Sequence, residues 1–191
     1  MSQAQQDWYF IRHGELELPP GTIPPPLAQL RPISWSRLAE IRRSLLVAIP
    51  DIDQAVWVCS TLPRSWESGL LLGAVTPRQS SGFNEQDFGD WHGFSHRELA
   101  RRDPKGAKQF WSDPIHQAPP HGETFCHMVN RVKSQIYIFK KQFFSYKSII
   151  VICHSGTIRA AHGLSHNLVM DDYLTIEPNR FHHWSITALK F

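Results

Sequence analysis

The chain has 191 residues, of which 41% are hydrophobic and 19% are charged. This balance excludes an intrinsically disordered chain, which would be poor in apolar residues and rich in charge. No run of about 18 apolar residues is present, so no membrane-spanning helix is expected. Because the first residues form neither a basic nor an apolar segment, no secretory signal is expected, and we predict a cytoplasmic protein. The composition has no internal break, which indicates one domain over residues 1–191.

The formal net charge of +3 comes from 20 Lys and Arg against 17 Asp and Glu. These charges are scattered rather than clustered, so a nucleic-acid partner is not expected. A mild positive balance favours a small anionic ligand. The three cysteines, Cys59, Cys126 and Cys153, have no metal-ligand spacing and are expected to be reduced thiols.

Four short apolar runs predict strands, at residues 8–11, 55–59, 148–153 and 184–189. The first three are continuous rather than alternating, which is typical of strands covered on both faces. Between the first two lies Pro19–Pro32, which holds six of the 14 prolines and is expected to form a loop.

Helical patterns separate the strands. An apolar stripe predicts a helix around residues 38–45, Pro63 suits the first turn of another, and residues 128–143 carry a stripe of about five turns. Ser95 and Glu98 have the spacing of a capping box, and residues 157–164 predict a last helix. Helices alternating with buried strands predict a layered α/β fold with a mainly parallel sheet.

Polar residues follow the first three strands. Arg12 and His13 follow the first, Arg64 lies shortly after the second, and His154 follows the third. In open α/β sheets ligands bind outside the carboxyl ends of the strands, so we expect these side chains to share one pocket.

The residues around them suit an anion. Gly14 and Ser155 are small enough for backbone N–H groups to approach a ligand, and two of these loops open helices, whose N-termini favour negative charge. Together with two Arg and two His, this pattern predicts a site for a phosphate or a similar oxyanion.

The motifs resemble those of the histidine phosphatase superfamily, also called the phosphoglycerate-mutase-like family. The matching blocks, in chain order, are Arg12-His13-Gly14-Glu15, Ser60-Thr61-Leu62-Pro63-Arg64, Glu85 with Phe88–Gly93, and His154–Arg159. Each motif is short, but all four in order are specific. The resemblance implies a three-layer α/β/α sandwich and a phosphatase that needs no cofactor or metal.

The resemblance also implies the role of each residue. His13 would attack phosphorus and form a phosphohistidine, and Glu85 would protonate the leaving oxygen. Arg12, Arg64 and His154 would stabilise the charge on the transferring phosphoryl group. Gly14 and Ser155 would complete the phosphate site.

Three positions depart from the family pattern. Leu16 replaces a frequent Thr or Ser, Pro19 replaces an Asn, and His92 stands where the family often has Glu. One side-chain contact to the phosphate is therefore expected to be missing, while the chemical core is intact.

The segment from Phe88 to Phe125 resembles the α-ribazole phosphatase branch, which acts in cobalamin synthesis. We expect Pro19–Pro32 and residues 94–124 to form a wall that recognises the substrate, with Trp111 and His121 in contact with a small phosphorylated metabolite. The remaining histidines, including His183, are interpreted as surface or structural residues.

Two alternatives stay open at the level of sequence. A mutase would return the phosphoryl group to its substrate, and a protein that binds a phosphorylated ligand without catalysis would leave it intact. Leu16, Pro19 and His92 motivate the second alternative, whereas the intact His13 and Glu85 argue against it.

Overall fold

The computed structural model describes residues 6–177 and 180–191. Its centre is a five-stranded sheet in the order β3-β2-β4-β1-β5. The strands are β1 (Asp7–Arg12), β2 (Val56–Cys59), β3 (Arg78–Gln79), β4 (Ser148–Cys153) and β5 (Ile186–Lys190). All neighbouring strands are parallel except β5, which runs antiparallel to β1. The predicted mainly parallel sheet is therefore confirmed.

Six α-helices connect the strands among the described residues. They are α1 (Trp35–Ala48), α2 (Pro63–Leu72), α3 (His96–Arg102), α4 (Pro104–Ser112), α5 (Phe125–Gln142) and α6 (Ser155–Ser165). Pro63 occupies the first turn of α2, and Ser95 forms the predicted capping box with Glu98 at the start of α3. These local signals begin helices because each satisfies or removes an orphan backbone donor.

The central strand β4 is buried along its whole length. Ile149 and Val151 pack into an apolar cluster with α5 and α6, while Ile150 and Ile152 pack into a second cluster with α1 and α2. Alternate residues of a strand face opposite sides, so a strand with helices on both sides must be apolar throughout. The layers are thus helix, sheet and helix, as expected.

A third apolar cluster lies outside the sheet, in the segment between β3 and α5. Trp91, Leu99 and Phe110 are buried there together with Ile23 from the proline-rich loop. The amide of Ile23 donates to the carbonyl of Phe94, which fastens the two segments to each other.

Two predictions about element boundaries need correction. The strand expected at residues 184–189 begins at Ile186, because Trp184 has a φ of 62° and cannot continue an extended strand. The last helix begins at Ser155, two residues before the predicted start, and ends at Ser165, shortly after Gly163. All three cysteines are free, and burial raises the pKa of the Cys59 thiol to about 12.

Candidate active site

The carboxyl end of β1 places Arg12 and His13 beside the end of β4. Arg12 pairs in register with Cys153, and the amide of His13 donates to the Cys153 carbonyl (3.0 Å). His154 therefore follows immediately alongside, and the His13 and His154 ring centroids lie 5.0 Å apart. The parallel register of two strands thus brings together residues that are distant in sequence.

His13 is a neutral imidazole in a defined tautomer. It is only 3% exposed, and its Nδ1 lies 2.7 Å from the carbonyl oxygen of Gly14. A carbonyl only accepts, so Nδ1 carries the proton and Nε2 keeps its lone pair. Burial, followed by the positive charge of Arg64 and also of Arg12, holds the pKa of His13 well below its usual range.

Gly14 is fixed between two neighbours. Its amide donates to the Ser68 hydroxyl (2.9 Å), which in turn donates to the carbonyl of Arg64 (2.7 Å). A Cβ at residue 14 would overlap the indole of Trp184. The glycine therefore allows the indole to cover the chain directly after His13.

His154 is the N-cap residue of α6 and is fully buried. Its Nε2 lies 2.7 Å from the Ser60 hydroxyl, which also accepts from the amide of Leu62 (3.2 Å). Its Nδ1 is buried and has no hydrogen-bond partner among the described residues. Burial, then the neighbouring His13 and the positive charges of Arg64 and Arg12, hold the pKa of His154 well below its usual range.

Arg12 and Arg64 bring two largely buried positive charges to the site. The Nη1 of Arg12 donates to the carbonyl of Phe181 (2.8 Å), and that of Arg64 donates to the carbonyls of Pro25 and Pro26 (3.2 Å each). Both Nε atoms are buried without a partner, and neither guanidinium is in an ion pair of the described part of the chain. Buried cations that lack a carboxylate partner are suited to an incoming anion.

The Glu85 carboxylate lies at the first turn of α6. Its Oε2 accepts from the amide of Gly156 (3.3 Å) and from the hydroxyl of Ser155 (3.4 Å). A Cβ at residue 156 would overlap the carboxylate, so glycine is required there for this approach. The negative charge of Glu85 raises the pKa of Arg12 and of Arg64 against the lowering caused by burial.

Arg131, on α5, holds the backbone around Glu85. Its Nη2 donates to the carbonyl of Glu85 (3.0 Å), and its Nη1 donates to the carbonyl of Asn84 (2.9 Å). The same guanidinium pairs with the carboxylate of Glu123. The long helix α5 thus sets the position of a loop residue.

Two cavities open beside Glu85 and share it as a wall. The larger, of about 810 Å³, is also lined by Arg64, Arg131 and His121. The smaller, of about 420 Å³, is also lined by Trp111 and Ser155. Trp111 and His121, expected on one wall, therefore face different cavities.

Trp111 and His121 also differ in the exposure of their side chains and in the contacts that hold them. Trp111 is 48% exposed and packs edge-on against His96, with ring centroids 5.0 Å apart. His121 is 84% exposed and bonds through Nδ1 to the Asp90 carboxylate (2.9 Å).

The proline-rich loop lies at the site, as expected from its position after His13. Besides the two carbonyls bound by Arg64, it offers the carbonyl of Pro24 to Nδ1 of His92 (2.9 Å). The Nε2 of His92 accepts from the amide of Phe88 (3.3 Å). His92, one of the departures from the family pattern, thus ties the loop to the neighbouring segment.

The structure also places His183, a residue interpreted from the sequence as surface or structural, near His13. Its ring centroid lies 5.5 Å from that of His13. Burial, then the charge of Arg12, lowers the pKa of His183 to about 4. The fourth strand was predicted, but its antiparallel pairing with β1, which brings the residues before it to the end of β1, is seen only in the structure.

Among residues 6–177 and 180–191, no group of three or more His, Cys, Asp or Glu side chains is arranged to hold a metal ion. Within the same residues, no helix has the length and apolar character needed to cross a membrane.

Comparison with known proteins agrees with this fold. The model of the histidine phosphatase superfamily (branch 1) matches residues 8–191, and the chain belongs to this superfamily. It is accordingly a phosphatase enzyme.

Individual relatives and solved structures are also similar to this chain. The adenosylcobalamin/α-ribazole phosphatase of Escherichia coli is 28% identical over 160 residues, which cover 78% of this chain and 74% of that protein. A solved structure named as a putative α-ribazole-5′-P phosphatase from E. coli has a TM-score of 0.79 at 22% identity, covering 97% of this chain and 90% of its own. A mycobacterial glucosyl-3-phosphoglycerate phosphatase has a TM-score of 0.77 at 17% identity, covering 96% and 89%.

Proposed function

We propose that this protein hydrolyses a small phosphate monoester through a phosphohistidine at His13. The observation that carries the proposal is a neutral, buried His13 with Nε2 unprotonated, flanked by Arg12 and Arg64 without carboxylate partners. A nucleophile needs a free lone pair, and a phosphoryl group needs fixed positive charge around its oxygens.

In the first step Nε2 of His13 forms a bond to phosphorus while the bond from phosphorus to the alcohol oxygen breaks. Glu85, protonated at this stage, gives its proton to that oxygen, and the alcohol leaves. The phosphorylated imidazole keeps its Nδ1 proton, and the carbonyl of Gly14 stabilises the resulting positive ring. Arg12 and Arg64 balance the charge of the phosphoryl oxygens.

In the second step water attacks phosphorus and the bond to Nε2 breaks. The Glu85 carboxylate takes one proton from the water, and inorganic phosphate leaves. His13 returns to its neutral tautomer, and Glu85 is again protonated for the next substrate. His154 supplies a further donor to the phosphoryl group when the Ser60 hydroxyl donates to its Nε2, because Nδ1 then carries the proton.

The names of the relatives make α-ribazole phosphate the first specific ester to test. The two cavities beside Glu85 support an ester with a sizeable alcohol, since both fall within the volume range of small-molecule sites.

The test uses hydrolysis of p-nitrophenyl phosphate in EDTA together with trapping of radioactive phosphate on the protein. The wild type should hydrolyse the ester and carry label, and His13→Ala should lose both. The matched control is His127→Ala, an exposed histidine at the start of α5, which should retain both. Turnover and label that persist in His13→Ala would refute the assignment. Label that a second alcohol removes without release of inorganic phosphate would indicate a mutase instead.

A further inference from the structure

The smaller cavity beside Glu85 contains a positive charge that the reaction above does not use. Its walls are mainly apolar and aromatic; they include Ile23, Phe88, Phe110, Trp111, Phe125 and Leu174. The polar side chains of the wall are Thr22, Glu85, Gln86, His96, Ser155 and Arg159. The cavity therefore combines an aromatic lining with one guanidinium, next to the group proposed to protonate the leaving alcohol.

Arg159 lacks the partners that a largely buried guanidinium normally has. Its Nε is buried without a hydrogen-bond partner, and none of the ion pairs among residues 6–177 and 180–191 includes it. Arg131, on the other side of Glu85, is fully engaged by Glu123 and by backbone carbonyls. Leaving charged donors unsatisfied in a protein is costly, so an unpaired arginine that lines a cavity indicates a ligand group.

The charges around Glu85 leave Arg159 without a negative partner of its own. The Glu85 carboxylate raises the pKa of Arg159, but it acts in the same way on Arg12 and Arg64. One carboxylate therefore faces three guanidinium groups and cannot neutralise all of them. In the proposed reaction, Arg12 and Arg64 bind the transferring phosphate. Arg159 then requires a second anion.

We propose that Arg159 binds a carboxylate on the alcohol part of the substrate, while the aromatic walls of the smaller cavity hold its apolar body. This inference rests on the proposed function and narrows it: the favoured substrates are phosphate monoesters of aromatic alcohols that also carry a carboxylate. Guanidinium and carboxylate are complementary planar groups, which form two parallel hydrogen bonds.

The experiment compares benzyl phosphate, 3- and 4-carboxybenzyl phosphate, and the two carbamoylbenzyl phosphates, which have the same shape without the charge. We expect the wild type to show kcat/KM about 10- to 100-fold higher for at least one carboxylate than for its carbamoyl counterpart. Arg159→Gln should abolish that ratio and leave benzyl phosphate hydrolysis within about threefold, since the phosphate site is untouched. Arg159→Lys should keep part of the ratio.

The control is Arg97→Gln, which removes one exposed positive charge from α3 and should keep the full ratio. A wild type without the preference, or a preference that survives in Arg159→Gln, overturns the inference. An equal loss on all five esters assigns Arg159 to the stability of the fold and also overturns it. If Arg159→Gln does not fold, the wild-type ratio and Arg159→Lys decide. Failure of the proposed function is recognised separately, because benzyl and p-nitrophenyl phosphate would then not be hydrolysed and His13 would carry no label.

Discussion

The imidazole rings of His13 and His154 lie 5.0 Å apart between centroids, and both are buried. Burial, the two guanidinium groups of Arg12 and Arg64, and in His154 the neighbouring His13, all lower the pKa of these rings. The site is therefore a pair of neutral imidazoles beside permanent positive charge. This relationship governs how the protein responds to acid.

We expect the free energy of unfolding to fall as the pH drops below about 6.5, the usual pKa of histidine. The folded-state pKa values of His13 and His154 are depressed, so the unfolded chain binds more protons in this range, and the stabilising contribution is lost as the pH falls. Each such histidine contributes a slope of about 1.4 kcal/mol per pH unit. Urea unfolding measured at several pH values checks this. His13→Asn should flatten the slope, and the exposed His127→Asn should leave it unchanged; equal slopes in all three proteins would contradict the prediction.

The second prediction concerns Glu85 as the acid. Glu85→Gln should reduce hydrolysis of alkyl phosphates by about 10²- to 10⁴-fold but affect p-nitrophenyl phosphate much less, since a nitrophenol leaves without needing a proton. Steady-state kinetics on both esters measure the difference. Equal losses on the two esters would demote Glu85 to a structural residue.

Gly14→Ala should destabilise the protein by about 1–3 kcal/mol and lower its activity. The added methyl group overlaps the Trp184 indole, and a packed site has no room to accept it. Thermal or urea unfolding measures the loss. The double variant Gly14→Ala with Trp184→Leu should recover part of the lost activity, because the smaller side chain makes room; no recovery would show that the strain lies elsewhere.

Substitutions of Trp111 and His121 should reveal which cavity holds the alcohol. Because the two side chains face different cavities, only one of Trp111→Ala and His121→Ala should raise KM for an ester with a sizeable alcohol while leaving p-nitrophenyl phosphate hydrolysis nearly unchanged. Arg159 and Trp111 line the same cavity, so the inference about Arg159 predicts that Trp111→Ala is the substitution that raises KM. An effect at His121 alone would move the alcohol to the larger cavity.

Much of this arrangement could be predicted from the sequence, because buried strands can be recognised in a sequence as apolar runs. The runs that became β1, β2 and β4 each ended in polar residues, and one rule about sheet edges sufficed to bring His13, Arg64 and His154 together. The strand β3 could not be predicted, because its two residues, Arg78 and Gln79, are exposed at the edge of the sheet and carry no apolar signal.

Neither Arg131 nor His183 was placed at the site from the sequence, because long-range packing rather than a local sequence pattern brings them there. Arg131 lies on the helix predicted from the apolar stripe over residues 128–143, but only the packing of α5 brings its guanidinium to the carbonyls around Glu85. His183 reaches His13 through the antiparallel pairing of β5 with β1. Position along the chain says little about such contacts.

The sheet order also has a consequence for biosynthesis. Within residues 6–177 and 180–191, β1 pairs with β4 and β5, both of which are made much later than β1 itself. On the ribosome, β1 and the loop that carries His13 must therefore wait, unpaired, until Ser148–Cys153 has left the exit tunnel. The helices α1 and α2 and the strand β2 can gain local structure earlier, but the proposed catalytic centre is assembled near the end of synthesis. Its apolar first strand therefore stays without its sheet partners during most of translation, a state that favours aggregation.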